Sequence, residues 1–257
     1  MTFIIDETFK QSFSDQNNLF DQLMSVEGEV FRQHKNRCTL RFEQAGKFYF
    51  IKKHKQVGWR EIFKNLFQFR LPVIDASNEY WANKKLRDLG LPTVDVVALA
   101  ARGWNPATRQ SLLVTRELTG CDSLEDLAKT WQPRFAEKQK LIKKIANVTK
   151  IMHEAGINHR DYYLCHLWWD RQRDVIYVMD LHRAQIRKNV PLRWLIKDLS
   201  GLYFSSMDAG LTKRDIYRFL KIYFGQPLKT IFSAHKPMLE CAQERALRLY
   251  EKDKHGD

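Results

Sequence analysis

No Gly-x-Gly-x-x-Gly, no Cys-x-x-Cys and no long apolar run occurs in this 257-residue chain, and each absence removes a class of protein. The longest wholly apolar stretch, about Val96 to Ala101, falls far below the ~18 residues a membrane span requires. Cys38, Cys121, Cys165 and Cys241 are scattered and form no zinc spacing with one another or with a histidine pair, so reduced thiols fit best. Nothing near Cys165 in sequence supplies a base dedicated to it, which makes it a small packed residue rather than a nucleophile. Met1 to Asp15 mixes Phe and Ile with Asp, Glu and Lys and lacks the basic region and apolar block of a signal peptide. A cytoplasmic location is the expectation. Internal repeats and low-complexity segments are missing as well.

Apolar residues make up 44% of the chain, enough for one large core or two lobes. A net charge of +13 implies a polyanionic partner or surface. The basic residues lie along the whole length, with neither an RNA-binding signature nor a DNA-reading helix pair. Nucleic acid is therefore discounted, and an anionic membrane surface is preferred.

The most informative stretch is His159-Arg160-Asp161, followed by His166 and by Asp180 at the end of an apolar run. It places one carboxylate, Asp161, beside a reacting hydroxyl and a second, Asp180, beside magnesium and phosphate, as ATP-dependent phosphoryl transfer needs. The surroundings agree. Residues 134 to 153 read as a helix, with Pro133 suited to its first position and Leu141, Ile142, Ile145, Val148 and Met152 at helical spacing. Gly156 closes it with a left-handed cap. A short apolar segment, Leu167 to Trp169, a polar turn, Asp170 to Asp174, and a strand, Val175 to Met179, then deliver Asp180. That order matches the C-terminal lobe of a protein-kinase-like fold.

Upstream, Val30-Phe31, Cys38 to Phe42 and Phe48 to Ile51 alternate as strands of a small lobe, separated by His34 to Arg37 and Gln44 to Gly46. His34-Lys35-Asn36-Arg37 stands where protein kinases place glycines, so the loop either covers phosphates with side-chain cations or is a solvated basic turn. The third strand ends in Lys52-Lys53, one of which should hold the alpha and beta phosphates. Alternation puts the two on opposite faces, and Lys52 is chosen. Glu79, opening a helical run to Leu89, is its expected ion-pair partner; the alternative is a first-turn acid favoured by the helix dipole. Gly58 to Arg70 reads as an amphipathic helix that either packs on the small lobe or rests at a lipid interface. Leu112 to Thr115 is the strand entering a hinge where backbone groups of Glu117 and Leu118 would meet adenine. Pro191 to Phe204, Thr212 to Phe224 and Pro237 to Tyr250 read as helices, the second opened by a Thr212 and Asp215 capping box. The fold class is thus α+β: a bilobal protein-kinase-like fold with a small antiparallel-sheet N-lobe over 1–117 and a mostly helical C-lobe over 118–257.

Gly58 to Leu66, Leu89-Gly90-Leu91-Pro92-Thr93, Ala155 to His166, Asp180-Leu181-His182-Arg183 and Lys197-Asp198-Leu199 together resemble the lipopolysaccharide core heptose kinase family. The resemblance covers most of the chain, and the catalytic-loop string is its most specific part. It implies transfer from ATP, with magnesium, to a hydroxyl of the first inner-core heptose of a lipid A-Kdo-heptose precursor. It places the protein peripherally on the inner face of the bacterial inner membrane and implies an acyl carrier protein as a partner. Asp161 is then catalytic, Lys52, Glu79, Glu117 and Leu118 bind nucleotide, and Asp180 holds metal. His166 stands where protein kinases carry Asn, and the family also has His there; it is read as a metal ligand or a packed, hydrogen-bonded residue, which leaves a second magnesium open. Asp198 and His159 support the catalytic loop. Arg183, Arg187 and Lys188 are candidates for binding acidic sugars or lipid phosphates of the acceptor, with a solvated charged face as the alternative. The rival readings are a kinase for Kdo or the second heptose and, from another class, a kinase-like module that binds membrane without chemistry.

Overall fold

The computed structural model describes residues 2–34, 36–56, 58–59, 76–130 and 135–255. The helix read over Gly58 to Arg70, Lys35 of the basic turn and Pro133 lie wholly or largely outside the described residues. The chain divides into two compact units, Met1–Lys84 with Val94–Thr119, and Lys85–Thr93 with Gly120–Asp257.

The first unit is built on a six-stranded antiparallel sheet. Its strands are β1 (Thr2–Ile5), β2 (Glu29–His34), β3 (Arg37–Gln44), β4 (Lys47–His54), β5 (Val96–Arg102) and β6 (Gln110–Arg116), in the order β1-β5-β6-β4-β3-β2. Ala45 and Gly46, both at positive φ, make the two-residue turn between β3 and β4, whose twist suits a tight hairpin. Alternation then decides what each strand offers to each face. Tyr49, Ile51, Leu112 and Val114 face helices α1 (Glu7–Gln11) and α2 (Leu19–Ser25), packing with Phe9, Leu19, Phe20 and Leu23 in one apolar cluster. Leu113 points the other way, joining Leu99, Ala76 and Tyr80 beside helix α3 (Ser77–Asp88). Lys52 is directly opposite Leu113 in the β4–β6 register and so shares that face. Full burial of side chains such as Ile51 and Leu112 contributes roughly 1.5–3 kcal/mol each.

The second unit is mostly helical. Helix α5 (Phe135–Glu154) follows the short strand β7 (Cys121–Ser123) and helix α4 (Leu124–Thr130). Strands β9 (Leu167–Asp170) and β10 (Val175–Val178) form a hairpin beside β7, and β8 (Ile157–Asn158) pairs with β11 (Gln185–Ile186). Helices α6 (Leu192–Ser205), α7 (Lys213–Phe224), α8 (Leu228–Ala234) and α9 (Lys236–His255) complete it. The capping box opens α7, with Thr212 Oγ1 accepting from the Asp215 N–H and Asp215 Oδ2 accepting from the Thr212 N–H. Leu199, Tyr223, Met238 and Ala242 form the apolar contact of α6, α7 and α9. Lys85–Thr93 counts with this unit because Thr93 Oγ1 donates to Val178 O at 2.7 Å and the Val178 N–H donates to Pro92 O at 3.0 Å.

Gly156 marks where α5 turns into β8. Its φ is +79°, and a Cβ there would collide with Arg187 O, immediately after the strand that pairs with β8. Replacing it demands both a left-handed alanine, which costs ~1–2 kcal/mol, and separation of the β8–β11 pair, whose overpacking costs a further ~1–3 kcal/mol. Gly156→Ala should therefore lower the unfolding free energy by at least ~2 kcal/mol. A urea midpoint equal to that of the unmodified protein would contradict this account.

Candidate active site

In the first unit the two adjacent lysines of β4 have opposite fates. Lys52 Nζ lies 2.7 Å from Glu79 Oε1, and the Glu79 side chain is 3% exposed. Removing one partner of such a pair leaves an uncompensated charge and typically costs ~3–5 kcal/mol. Lys53 points to the other face and donates to Met24 O and Val26 O, terminal carbonyls of α2. Burial lowers its pKa. Of the two, only Lys52 stands beside Glu79. Glu117 is held by Arg41 through a bidentate pair, 2.8 and 2.9 Å, and its backbone N–H donates to Phe48 O at 3.0 Å. Half-buried Leu118 follows it.

In the second unit the loop that carries Asp161 hangs on Asp198. This carboxylate is completely buried and accepts the His159 N–H on Oδ2 and the Arg160 N–H on Oδ1, both at 2.7 Å. His153 Nε2 lies 3.3 Å from Oδ2, and His153 Nδ1 lies 2.8 Å from the Tyr223 hydroxyl. Arg160 is held at φ +73°, a conformation a non-glycine residue keeps only when its surroundings impose it. Asp198 and Gly201 sit three residues apart on α6, hence on one helical face. A Cβ at Gly201 would lie 2.9 Å from Tyr162 O, so the missing side chain lets α6 approach the loop. Below the loop, the Tyr162 and Thr149 hydroxyls meet at 2.9 Å in the buried interior.

Asp161 emerges from this support with 15% of its side chain exposed. Arg183 Nη1 donates to both of its oxygens, at 2.9 and 3.2 Å, and Lys197 Nζ lies 3.7 Å away. His166 connects Asp161 to Asp180. Its Nδ1 is 2.6 Å from Asp161 O, and its Nε2 is 3.7 Å from Asp180 Oδ2. The carbonyl can only accept, so Nδ1 carries a proton, and Nε2 is the ring atom turned toward the carboxylate. The 3.7 Å separation is longer than a direct hydrogen bond. Asp180 adopts the left-handed conformation, φ +55° and ψ +56°, and its Oδ1 lies 3.0 Å from His182 Nδ1. Among the described residues no set of three or more His, Cys, Asp or Glu side chains converges as metal ligands. Of the groups here, the Asp180 carboxylate is the type of ligand magnesium prefers, whereas an imidazole nitrogen is better matched to softer metals.

Of the remaining residues singled out in the sequence, Arg187 bonds to Asn158 Oδ1 and Gln185 Oε1, and Lys188 is exposed. The Cys165 thiol is pushed up to about 11 by burial, so it stays protonated and inert near neutrality. Sequence reasoning missed His182, Lys197 and His153. His182 and Lys197 each adjoin a residue that was read, and their side-chain geometry alone reveals them.

A sheet that aims a buried lysine–glutamate pair, and a helical unit that carries two acids on a loop and a neighbouring hairpin, define a protein-kinase-like phosphotransferase. Comparison with known proteins narrows that class. A family model described as "Lipopolysaccharide kinase (Kdo/WaaP) family" matches residues 21–223, and the chain belongs to this family. It is 46% identical over 242 residues to the lipopolysaccharide core heptose(I) kinase WaaP of Escherichia coli, covering 91% of each chain. The protein of the same name from Pseudomonas aeruginosa is 39% identical, covering 100% of this chain and 99% of the relative. A solved structure titled "WaaP in complex with acyl carrier protein" superposes with a TM-score of 0.84 at 35% identity, covering 97% of this chain and all of that one. The chain is thus an ATP-using kinase, and the bilobal kinase-like fold class read from its sequence stands.

His159 carries a pH signature. Its ring is wholly buried with Nε2 2.8 Å from Met179 O, and burial holds its pKa below the ordinary 6.5. Below about pH 6.5 the unfolded histidine takes a proton that the folded one refuses, so the unfolded state binds more protons. The contribution is complete above that pH and is lost as pH falls toward the depressed folded value. His159→Gln keeps an N–H near the Nε2 position but cannot titrate. Its urea midpoint should fall less than that of the unmodified protein between about pH 7.5 and 5.5. Parallel curves would remove His159 as a source of acid sensitivity.

Proposed function

We propose that this kinase transfers the gamma phosphoryl group of ATP to a hydroxyl of the first inner-core heptose of lipopolysaccharide. The acceptor rests on one observation: near-full-length identity of 39–46% to proteins named core heptose(I) kinase. In this reading the first unit is the nucleotide-binding lobe, and the second carries the catalytic loop and the acceptor site. Lys52, fixed by Glu79, neutralises the alpha and beta phosphates, and backbone groups at Glu117 and Leu118 meet adenine. Asp180 with His166 would hold magnesium, which when bound offsets charge on the phosphate oxygens. Phosphoryl transfer has a loose transition state, so the protein mainly positions the reactants and compensates charge. Asp161 receives or orients the acceptor hydroxyl. Held on two oxygens by Arg183, its carboxylate is suited to a fixed aim. Asp198 and His159 keep the loop in place.

An acyl carrier protein is the proposed protein partner. The solved relative is in complex with one, a charge of +13 complements an acidic protein, and the second unit contains a cavity of about 390 Å³. Its walls include Leu141, Ile145, Leu199, Leu220 and Phe232, an apolar lining suited to hydrocarbon. We place the protein at the inner face of the bacterial inner membrane. Among the described residues no helix is long and apolar enough to cross a membrane, and basic residues near an anionic leaflet contribute ~1 kcal/mol each.

Purified protein with magnesium ATP and a phosphate-free, heptose-containing core acceptor should add one phosphate to the heptose, read by mass spectrometry of the product. Asp161→Asn should lower kcat by ~10²–10⁴-fold while ATP binding and the circular dichroism spectrum persist. Undiminished transfer by that variant would remove Asp161 from the chemistry.

A further inference from the structure

We propose that Trp194 and the four cations around it, Arg160, Arg187, Arg193 and Lys197, form an oxyanion subsite beside Asp161. It takes a carboxylate or phosphate of the acceptor saccharide, close to the hydroxyl that receives the phosphoryl group. The inference deepens the proposed function and rests on its saccharide acceptor.

The geometry is unusual for a solvated basic face. The guanidinium carbons of Arg160, Arg193 and Arg187 lie 4.5, 5.1 and 5.9 Å from the Trp194 ring, and Lys197 Nζ lies 5.8 Å from it. Solvated cations spread apart, whereas these four converge on one indole. The ring's quadrupole attracts each of them but cannot neutralise four charges. Nor does the chain supply the balance. From Leu181 to Lys197 it has Arg183, Arg187, Lys188, Arg193 and Lys197 and no Asp or Glu. Of the two acids at hand, Asp198 is taken up by backbone N–H groups, and Asp161 is shared by Arg183 and Lys197.

Burial first, and then a nearby cation, lowers the pKa of three of the four: Arg183 acts on Arg160 and Lys197, and Arg193 acts on Arg187. Two donors shielded from solvent, Trp194 Nε1 and Arg160 Nε, find no hydrogen-bond partner among the described residues. An arrangement that crowds cations and leaves donors over is complementary to an oxyanion, for which guanidinium forks are matched. Lys197 carries the cluster to Asp161, so the anion would sit within one sugar ring or its neighbour of the reacting hydroxyl. Arg193 is exposed and gives access from solvent.

Two acceptor pairs test this with the full chain: a heptose saccharide bearing a carboxylate against its methyl ester, and one bearing a phosphate against its dephosphorylated form. Binding is measured by calorimetry without ATP, and transfer is measured separately. The charged member of at least one pair should bind roughly ten- to hundredfold more tightly, and which pair responds identifies the anion. Arg193→Ala, and independently Trp194→Phe, should shrink that preference about tenfold. The exposed Arg214→Ala should retain it. Equal binding within both pairs overturns the subsite, as does a variant that weakens charged and neutral members alike. Weaker attachment of Arg193→Ala to anionic phospholipid vesicles with an intact saccharide preference also overturns it and assigns the cluster to the membrane. A charged preference that binds but is never phosphorylated upholds the subsite and rejects the heptose acceptor instead.

Discussion

The buried carboxylate of Asp198 is the constraint on which the geometry of the second unit's candidate site depends. Burying a charge is costly unless hydrogen bonds replace water, and Asp198 receives them from the two consecutive N–H groups of His159 and Arg160 and faces His153. The bonds fix a loop whose middle residue would not choose its own conformation. They also bind helix α6 to the segment between α5 and β9, so that Asp161 projects from rigid elements on both sides. Gly201 belongs to the same device, because a wider residue on that helical face would hold Asp198 away from its two donors.

From that fixed point the two acids of the site acquire different surroundings. Asp161 is enclosed by Arg183 and Lys197, while Asp180 lies between the imidazoles of His166 and His182. One carboxylate is held on both oxygens by Arg183, which gives it a steady direction. The other lies within reach of two imidazole nitrogens, His182 Nδ1 at 3.0 Å and His166 Nε2 at 3.7 Å. His166 ties the two together by giving its Nδ1 proton to the backbone of one and turning Nε2 toward the other. A histidine where protein kinases carry asparagine is thus compatible with phosphoryl transfer.

Much of this architecture is legible in the sequence where a pattern is long and local. The apolar period over 134 to 153 yields a helix at Phe135–Glu154, and the Thr212 and Asp215 spacing yields the capping box found in the structure. Elements too short for a period are not legible. Strand β1 acquires its identity from Ala98 to Ala101, far along the chain, and α1, α2 and α8 each span only two turns or less. Val96 to Ala101 reads merely as an apolar run, because a strand buried on both faces does not alternate. The site divides the same way. Asp161, Asp180 and Glu79 stand out by spacing, whereas the hold of Arg183 on Asp161 joins residues 22 apart and leaves no local mark. The choice between Lys52 and Lys53 needs the position of α2, whose carbonyls claim the second lysine.

Under the proposed role of Lys52, those two neighbouring lysines make strand alignment itself a determinant of nucleotide handling. A side chain's face in a sheet depends on parity alone, so sliding β4 by a single position would exchange them. Lys53 would then meet the glutamate of α3, and Lys52 would be drawn toward the carbonyl end of α2. The tight Ala45-Gly46 reversal and the eight paired positions of β3 with β4 hold that parity. An insertion or deletion of one residue between Tyr49 and Lys52 would leave the composition of the lobe almost untouched and turn the lysine proposed to meet phosphate to the wrong side.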